Sequence, residues 1–348
     1  MGKPAKKLYR RELSPQFLQA AGRKPKSVVE SLLTATQYVR DKILIPGSKD
    51  LGSLDVVRKD TGGQRDADAK TLTLKTDKEC EAEMVRMLTQ MFPDALLISE
   101  EEYGARSPES KRQVLEEALV TDKMVILTDP LDATRDFRDG GDGYAIMVSV
   151  LSKGNVTAAV AHRCTDYADP AGFGHTLTFE ANDNVRRDGR LLTPLSDRTF
   201  PSDPLKLRGY AGFEFVAPMR GADAKGFPNL NNKFDSLSDL WTCSKLYDDL
   251  LTGQHHFMLV PPPVDIFDYP AGIAMVQAAG GTVKFLDGTP ATFAEIVHRQ
   301  DCKDAKSLHN TLVFAVSENV FETVQKTVYA AAGLTPPAKQ PKPAGYRF

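Results

Sequence analysis

The spacing of hydrophobic and polar positions changes repeatedly between a helical and a strand period, which predicts a mixed α/β protein. Ser27 with Glu30 forms a capping-box pattern ahead of a helix whose Val29, Leu32, Leu33, Thr36 and Val39 share one face. Residues 49–70 are polar and rich in Asp, Gly and Lys. That is loop composition, suited to a mobile segment over a site or to a plain surface insertion. Leu72 and Leu74 alternate with Thr as a short strand, and Thr76 with Glu79 predicts a second capped helix to about Met91. Its inner face is Cys80, Met84, Met87, Leu88 and Met91. Met124 to Thr128 is apolar without alternation, as in a strand buried on both faces, and Asp129-Pro130 breaks it.

Further on, Tyr144 to Val150 and Thr157 to His162 are β-rich runs joined by a hairpin signal, Ser152-Lys153-Gly154-Asn155. Leu177 to Phe179 adds a strand and Asp188-Gly189 a turn. Pro201 to Asn232 is too rich in Pro, Gly and Asn for any periodic reading. Leu237 to Thr252 is expected as a helix stopped by Gly253, and Phe257 to Val260 as a strand. Asp268 to Ala279 predicts a helix ended by Gly280-Gly281, Thr311 to Val316 a strand, and Ser317 to Ala332 a helix closed by Gly333.

Composition narrows the class. A chain of 348 residues, 41% hydrophobic and 26% charged, can bury a sizeable core as one large domain or two fused halves. A net charge of −2 and a pI near 6.3 give no reason to expect a nucleic-acid partner. Residues 1–26 carry eight Lys or Arg against Glu12 alone, a basic arm read as a solvated tail, with organelle targeting left open. No secretory h-region or long apolar span is present, so the expectation is a protein without a membrane anchor. Cys80, Cys164, Cys243 and Cys302 are far apart, as reduced thiols in a cytoplasm-like compartment would be.

The candidate chemistry begins where the apolar run from Met124 ends. Pro130 fixes φ and removes a donor, so Asp129, Asp132 and the Leu131 carbonyl can face one point suited to a hard cation such as Mg²⁺. An ordinary Asp-Pro turn would have the same residues. Two further acidic ends change the weighing: Ser99-Glu100-Glu101-Glu102 after the apolar run Ala95 to Ile98, and Asp268 ahead of Pro270, itself also a plain N-cap pattern. Asp77 falls in a first helical turn, where the dipole favours an acid in any case. His255-His256 reads as structural, short of a third zinc ligand.

Taken together, Thr76-Asp77, Pro93-Asp94, Ile98-Ser-Glu-Glu101, Asp129-Pro-Leu-Asp-Ala-Thr134, Phe267-Asp-Tyr-Pro-Ala-Gly272 and Ala278-Ala-Gly-Gly-Thr-Val283 resemble the inositol monophosphatase superfamily. That superfamily includes fructose-1,6-bisphosphatases, inositol polyphosphate 1-phosphatases and phosphoadenosine phosphatases. The chain departs from the commonest motif at Ala133, where Gly is usual, and at Phe267, where Trp is frequent. The resemblance implies a layered α/β/α/β/α sandwich and a Mg²⁺-dependent, lithium-sensitive phosphomonoesterase using two or three ions. Glu100, Asp129 and the Leu131 carbonyl would hold one ion, and Asp129, Asp132 and Asp268 a second. A third would sit near Glu100 with Glu101 and Asp77. Thr134, polarised by Asp77 and assisted by Glu100, would orient the attacking water, while Ala133, Thr134, Asp132 and Asp268 would face the substrate; Lys245 lies where family members place substrate-contacting groups, but a lone helical lysine is more often a solvated side chain. If Ala133 has positive φ it costs about 1 kcal/mol or more, and the expectation is that φ is negative.

These expectations define four segments: an arm over 1–26, an N-terminal half with the metal site over 27–165, a C-terminal half with the substrate wall over 166–334, and a Pro/Lys-rich tail over 335–348. An inositol phosphate is the expected substrate, ahead of 3′-phosphoadenosine 5′-phosphate, fructose 1,6-bisphosphate or another sugar phosphate, and a homodimer is compatible with the reading. One rival is the haloacid dehalogenase type, whose Asp-x-Asp pattern is not matched by Asp129 and Asp132. The other is a non-catalytic metal or phospho-ligand binder, against which the full carboxylate set counts.

Overall fold

The computed structural model describes residues 27–48, 56–58, 72–141, 143–165, 174–181, 183–216, 227–239, 242–300 and 307–337. The basic arm, most of the 49–70 loop, most of 166–174, residues 217–226, Cys302 and nearly all of the tail lie outside them. The chain divides into two compact units, residues 1–153 with 157–175, and residues 154–156 with 176–348.

In the first unit, α1 (Val28–Val39) begins on Ser27, whose hydroxyl accepts the Glu30 N–H at 3.2 Å, as the capping pattern predicts. A π-helical stretch over Arg40–Leu44 carries it into α2 (Ile45–Ser48). Within the segment expected to be loop, β1 (Val56–Arg58) pairs antiparallel with β2 (Leu72–Leu74). Helix α3 (Lys75–Met91) starts one residue before the cap expected at Thr76, so Thr76 and Asp77 lie inside its first turn, both buried. There follow β3 (Leu96–Ser99), α4 (Glu100–Gly104), α5 (Pro108–Val120), β4 (Val125–Asp132), α6 (Thr134–Arg138), β5 (Ala145–Ser152) and β6 (Asn155–Arg163). Helix α5 escaped the sequence reading although its signal is plain, with Ser107 accepting the Ser110 N–H and Pro108 at the first position.

The strands lie in the order β3-β4-β5-β6. β3 runs parallel to β4, and β4 antiparallel to β5. Lys153 and Gly154, both at positive φ, make the two-residue turn that the hairpin signal predicts. One core joins α1 and α3 to the sheet: Leu32, Ala35, Val39, Cys80, Met84 and Met87 pack with Ile126, Ile146, Val148, Val150 and Val160. Complete burial of each larger aliphatic contributes about 1.5–3 kcal/mol. All eight residues of β4 are buried, as its unbroken apolar run requires.

In the second unit, β7 (Thr176–Glu180), β8 (Arg186–Arg187) and β9 (Arg190–Leu191) form an antiparallel ribbon, turned between β8 and β9 by Asp188 and Gly189 at positive φ. A five-stranded sheet and its helices come next: β10 (Arg208–Ala211), α7 (Phe213–Val216), β11 (Ser236–Asp239), α8 (Cys243–Thr252), β12 (Phe257–Val260), α9 (Tyr269–Ala278), β13 (Thr282–Phe285), α10 (Phe293–Gln300), β14 (Leu312–Ala315) and α11 (Glu318–Ala331). Strand order is β11-β10-β12-β14-β13, with β10 parallel to both neighbours and β14 antiparallel to both of its own. The helix expected from Leu237 begins only at Cys243, because residues 236–239 pair with β10, where a partner strand outweighs local propensity. Gly253, Gly280 and Gly333 stop their helices at positive φ, as predicted. A mixed α/β fold with two main sheets and covering helices is thus present. Among the described residues no helix is long and apolar enough to cross a membrane.

Candidate active site

Strand β4 does not end at Asp129, as the Asp-Pro pair suggests, but continues through Pro130 to Asp132. Asp129 lies opposite Met147 and Asp132 opposite Ala145, so three steps on β4 match two on β5. The extra residue is a β-bulge, a place where a strand tolerates proline because the ladder is already broken. The bulge leaves the Leu131 N–H outside the ladder, and the Asp129 side chain accepts it at 2.9 Å. Both Asp129 and Asp132 are buried, 6% and 7% exposed.

Beyond the bulge, Ala133 stands at φ 64°, ψ 47°, left-handed, where a negative φ was expected. The correction has a physical reason: the chain must reverse from strand into α6 within one residue, and glycine's region is the short route. Thr134 follows at the first position of α6, with its hydroxyl 3.2 Å from Asp77 Oδ1 and 3.2 Å from the Leu131 carbonyl. It has one proton and two acceptors, so it donates to one at a time. Asp77, 4% exposed, is thereby tied from α3 to the turn after the bulge.

Glu100 and Glu101 open α4 directly after β3. The register pairs Ser99 with Thr128, so Glu100 follows the last paired residue of β3 as Asp129 follows its partner on β4. One acid that the motifs did not single out belongs to this region. Glu81, one helical turn after Asp77, accepts the Glu102 N–H at 3.0 Å. Burial pushes its carboxyl up, the Ser99 side chain and then the Glu102 N–H oppose that, and the charges of Glu101 and Glu102 add to the rise. The i, i+4 spacing from Asp77 was the available signal. Burial, then the charge of Asp77, with smaller contributions that include Asp129, push the Cys80 thiol well above its ordinary value, so it stays an inert thiol.

In the second unit, Asp268 occupies the N-cap position of α9, with Pro270 in the first turn. The capping pattern is not realised, since its backbone is already helical at φ −76°, ψ −43° and its side chain makes no cap bond. The Tyr247 hydroxyl donates to the Asp268 carbonyl at 2.9 Å, and a Cβ on Gly272 would come within 2.1 Å of the Tyr247 ring, so the glycine lets that ring lie against α9. The Cys243 thiol is within 4.8 Å of an Asp268 carboxylate oxygen, a neighbour that sequence reasoning missed.

Lys245 donates to Asp249 Oδ2 at 2.6 Å, four residues along α8, and lies 3.3 Å from the Tyr210 hydroxyl, which donates to the same oxygen at 2.5 Å. His255 stacks on Tyr210 at 4.1 Å between centroids. Burial acts to raise the Asp249 carboxyl, but His255, Lys245 and Tyr210 outweigh it and hold the group at about 2. The buried His256 accepts the Arg208 N–H on Nδ1 at 3.0 Å, and burial lowers its pKa, so it is a neutral link to β10.

Solved structures share the fold. Extragenic suppressor protein SuhB from Bartonella henselae matches with a TM-score of 0.62 and 16% identity over 86% of this chain and 98% of that one. An IMPase from Thermotoga maritima matches at 0.59 and 18% over 86% and 98%, and a staphylococcal IMPase-I complexed with products at 0.60 and 13% over 88% and 97%. No curated protein matches the sequence. The sequence model of the inositol monophosphatase family matches residues 49–320, and the chain belongs to that family. Family and fold together support a phosphatase of the inositol monophosphatase superfamily.

Proposed function

We propose that the protein is a Mg²⁺-dependent phosphomonoesterase that hydrolyses a small phosphorylated metabolite, an inositol phosphate first. The observation that carries this reading is the bulge in β4, which turns a strand end into two buried carboxylates beside a carbonyl, with the Thr134 hydroxyl at its rim. The donors are all oxygens, and carboxylates gathered at such low exposure are stabilised by a hard dication, so the residues fit Mg²⁺. Asp129, Asp132, Glu100 and the Leu131 carbonyl would hold it, with Glu101 near. When bound, it lowers the pKa of water and offsets charge on the phosphoryl oxygens.

The remaining work falls to the chain's own groups. When Thr134 donates its proton to Asp77, its oxygen accepts from a water and turns that water's lone pair toward phosphorus. Glu100 is the nearby base in this reading. Successive N–H groups after the left-handed Ala133 form an anion-binding concavity for the ester's phosphate. Asp132 and Asp268 would accept substrate hydroxyls, whereas Lys245 enters with its charge already shared with Asp249. The buried Cys80 and Cys164 thiols fit a reducing, cytoplasmic compartment, and a homodimer is compatible.

A panel of inositol monophosphates, fructose 1,6-bisphosphate and 3′-phosphoadenosine 5′-phosphate, each with Mg²⁺ or EDTA, tests the reading. Phosphate release from an inositol phosphate that EDTA abolishes is expected. Preference for another ester would move the substrate class, release undiminished by EDTA would remove the metal, and no release from any ester would favour the non-catalytic binder.

A further inference from the structure

Glu81 has no part in the ligand set proposed above, yet it makes a contact that bears on that set. Helix α4 begins on Ser99, whose backbone is extended as a cap's should be but whose side chain makes no cap bond. Its first turn is Glu100, Glu101 and Glu102, and the N–H of the third is taken by Glu81 Oε1 at 3.0 Å. The cap therefore comes from another helix. A carboxylate at that place satisfies one of the orphan donors of a helix start.

The helix that supplies the cap is α3, and Glu81 lies one turn beyond Asp77, which meets the Thr134 hydroxyl. One rigid helix thus has an acid on each side of the strand ends: Asp77 toward the turn after β4, Glu81 toward the helix after β3. Four carboxyl groups, Glu81, Glu100, Glu101 and Glu102, gather at the start of α4, and of these Glu102 is paired with Arg106 at 2.7 Å. Without an anchoring hydrogen bond, five residues are too few to stay helical.

We infer that Glu81 is a positioning residue: its carboxylate oxygen caps α4 from α3 and thereby fixes Glu100 and Glu101 relative to Asp129 and the Asp77–Thr134 pair. The inference rests on the functional reading given above, because positioning matters only if Glu100 and Glu101 receive a cation. It differs from a ligand role for Glu81 in one respect. What the cap needs is an acceptor oxygen at the right reach, so glutamine should replace it, while aspartate, shorter by a methylene, and alanine should not.

The test uses the full chain as wild type, Glu81→Gln, Glu81→Asp and Glu81→Ala. Mn²⁺ binding is followed by the spin-resonance signal of the free ion, without substrate, and hydrogen exchange of the peptide covering residues 96–106 is followed in metal-free protein. Loss of an outer partner typically costs a metal site about 10–100-fold in affinity. Weakening of about that size in Glu81→Ala and Glu81→Asp, with Glu81→Gln within about three-fold of wild type, is expected from that range. Exchange over residues 96–106 should quicken in the same two variants only. Equal weakening in Glu81→Gln would overturn the inference by making the charge, and so a ligand role, the important property. Unchanged exchange in Glu81→Ala would overturn it by showing that the cap does not hold α4. If Glu81→Ala fails to fold, Glu81→Asp against Glu81→Gln decides. Wild type that binds no Mn²⁺ refutes the functional reading instead, while the exchange comparison still judges the cap.

Discussion

Two buried acids of the first unit, Asp77 and Asp129, and two on α8, Asp248 and Asp249, make bonds of different kinds. Asp77 meets a hydroxyl and Asp129 a backbone N–H, donors that satisfy an oxygen without cancelling its charge. On α8, Asp248 takes Arg187 in a two-pronged pair at 2.6 and 2.9 Å, and Asp249 takes Lys245. A carboxylate that meets a guanidinium is already neutralised and holds elements together. A neutral donor orients a carboxylate oxygen without itself bringing positive charge to it. Burial alone would not have separated the two groups, since Asp129 at 6% and Asp248 at 7% are equally hidden.

The sharpest way to break this comparison is to remove one charge from each side. Asp129→Asn keeps an oxygen that can accept the Leu131 N–H, so metal-free protein should lose less stability than it does in the α8 variant that follows. Turnover at ordinary Mg²⁺ should nevertheless fall by orders of magnitude. Asp248→Asn should do the reverse, retaining turnover and losing about 1–3 kcal/mol in urea, because it leaves Arg187 without its bidentate partner. Should Asp129→Asn destabilise as Asp248→Asn does, Asp129 is a structural acid and the distinction fails.

Next in size is Thr134→Ala. The hydroxyl orients a water in the functional reading and touches the ester only weakly, so kcat should drop by about 10²–10⁴-fold with KM little changed. Steady-state kinetics decide, and near-normal kcat would reduce the Thr134–Asp77 bond to a tie between α6 and α3.

The α8 side can be probed by pH. Asp249 is held at about 2 against an ordinary 3.8, so the folded state takes up its proton later than the unfolded state. The stability this gives is present above about pH 3.8 and is lost as pH falls toward 2, about 2 kcal/mol in all. Denaturant midpoints between pH 5 and 2 should fall less steeply in Asp249→Asn than in wild type; identical slopes would show that the cluster stores no such energy. His256 adds a milder trend of the same sign. Its pKa is lowered by burial, so its contribution is present above about 6.5 and fades below that as the unfolded state binds the proton first.

What was legible in the sequence follows from how locally each feature is encoded. The cap at Ser27, the turn at Lys153-Gly154 and the stops at Gly253, Gly280 and Gly333 rest on one or two residues whose preferences decide the backbone, and the structure has them all. Strand β11 was misread as helix because its extended form comes from pairing with β10, about thirty residues away in sequence. The bulge was hidden for a related reason, since Asp-Pro reads as a strand's end unless one knows that β5 keeps pairing out to Ala145. At the site, the acids showed as motif residues, but Glu81 did not, because its task depends on where α4 lies and not on its neighbours in sequence.

The smallest effect concerns Ala133, whose left-handed backbone the sequence reading had placed elsewhere. A Cβ in that region costs about 1–2 kcal/mol, and glycine removes the cost. Glycine also gains freedom in the unfolded chain, which returns about 0.5–1 kcal/mol to the unfolded side. Ala133→Gly should therefore stabilise by about 0.5–1 kcal/mol, the difference of those two. The strain is held in place from both flanks. Before it, Asp129 accepts the Leu131 N–H; after it, the Phe137 N–H returns to the Ala133 carbonyl at 3.1 Å, Asp136 accepts the Gly143 N–H, and the Phe137 ring meets Tyr144 edge-on at 4.9 Å. Because those anchors stay, the turn should keep its shape in the glycine variant, with turnover within about three-fold of wild type, a change of under 1 kcal/mol in the barrier. Ala133→Val, with a branched Cβ at positive φ, should instead destabilise and slow turnover together. Urea melts of the three proteins rank them Gly, Ala, Val if residue 133 is left-handed in solution. A glycine variant less stable than wild type would mean that Ala133 sits at negative φ, and that the N–H groups after it do not form the concavity assigned to the phosphate.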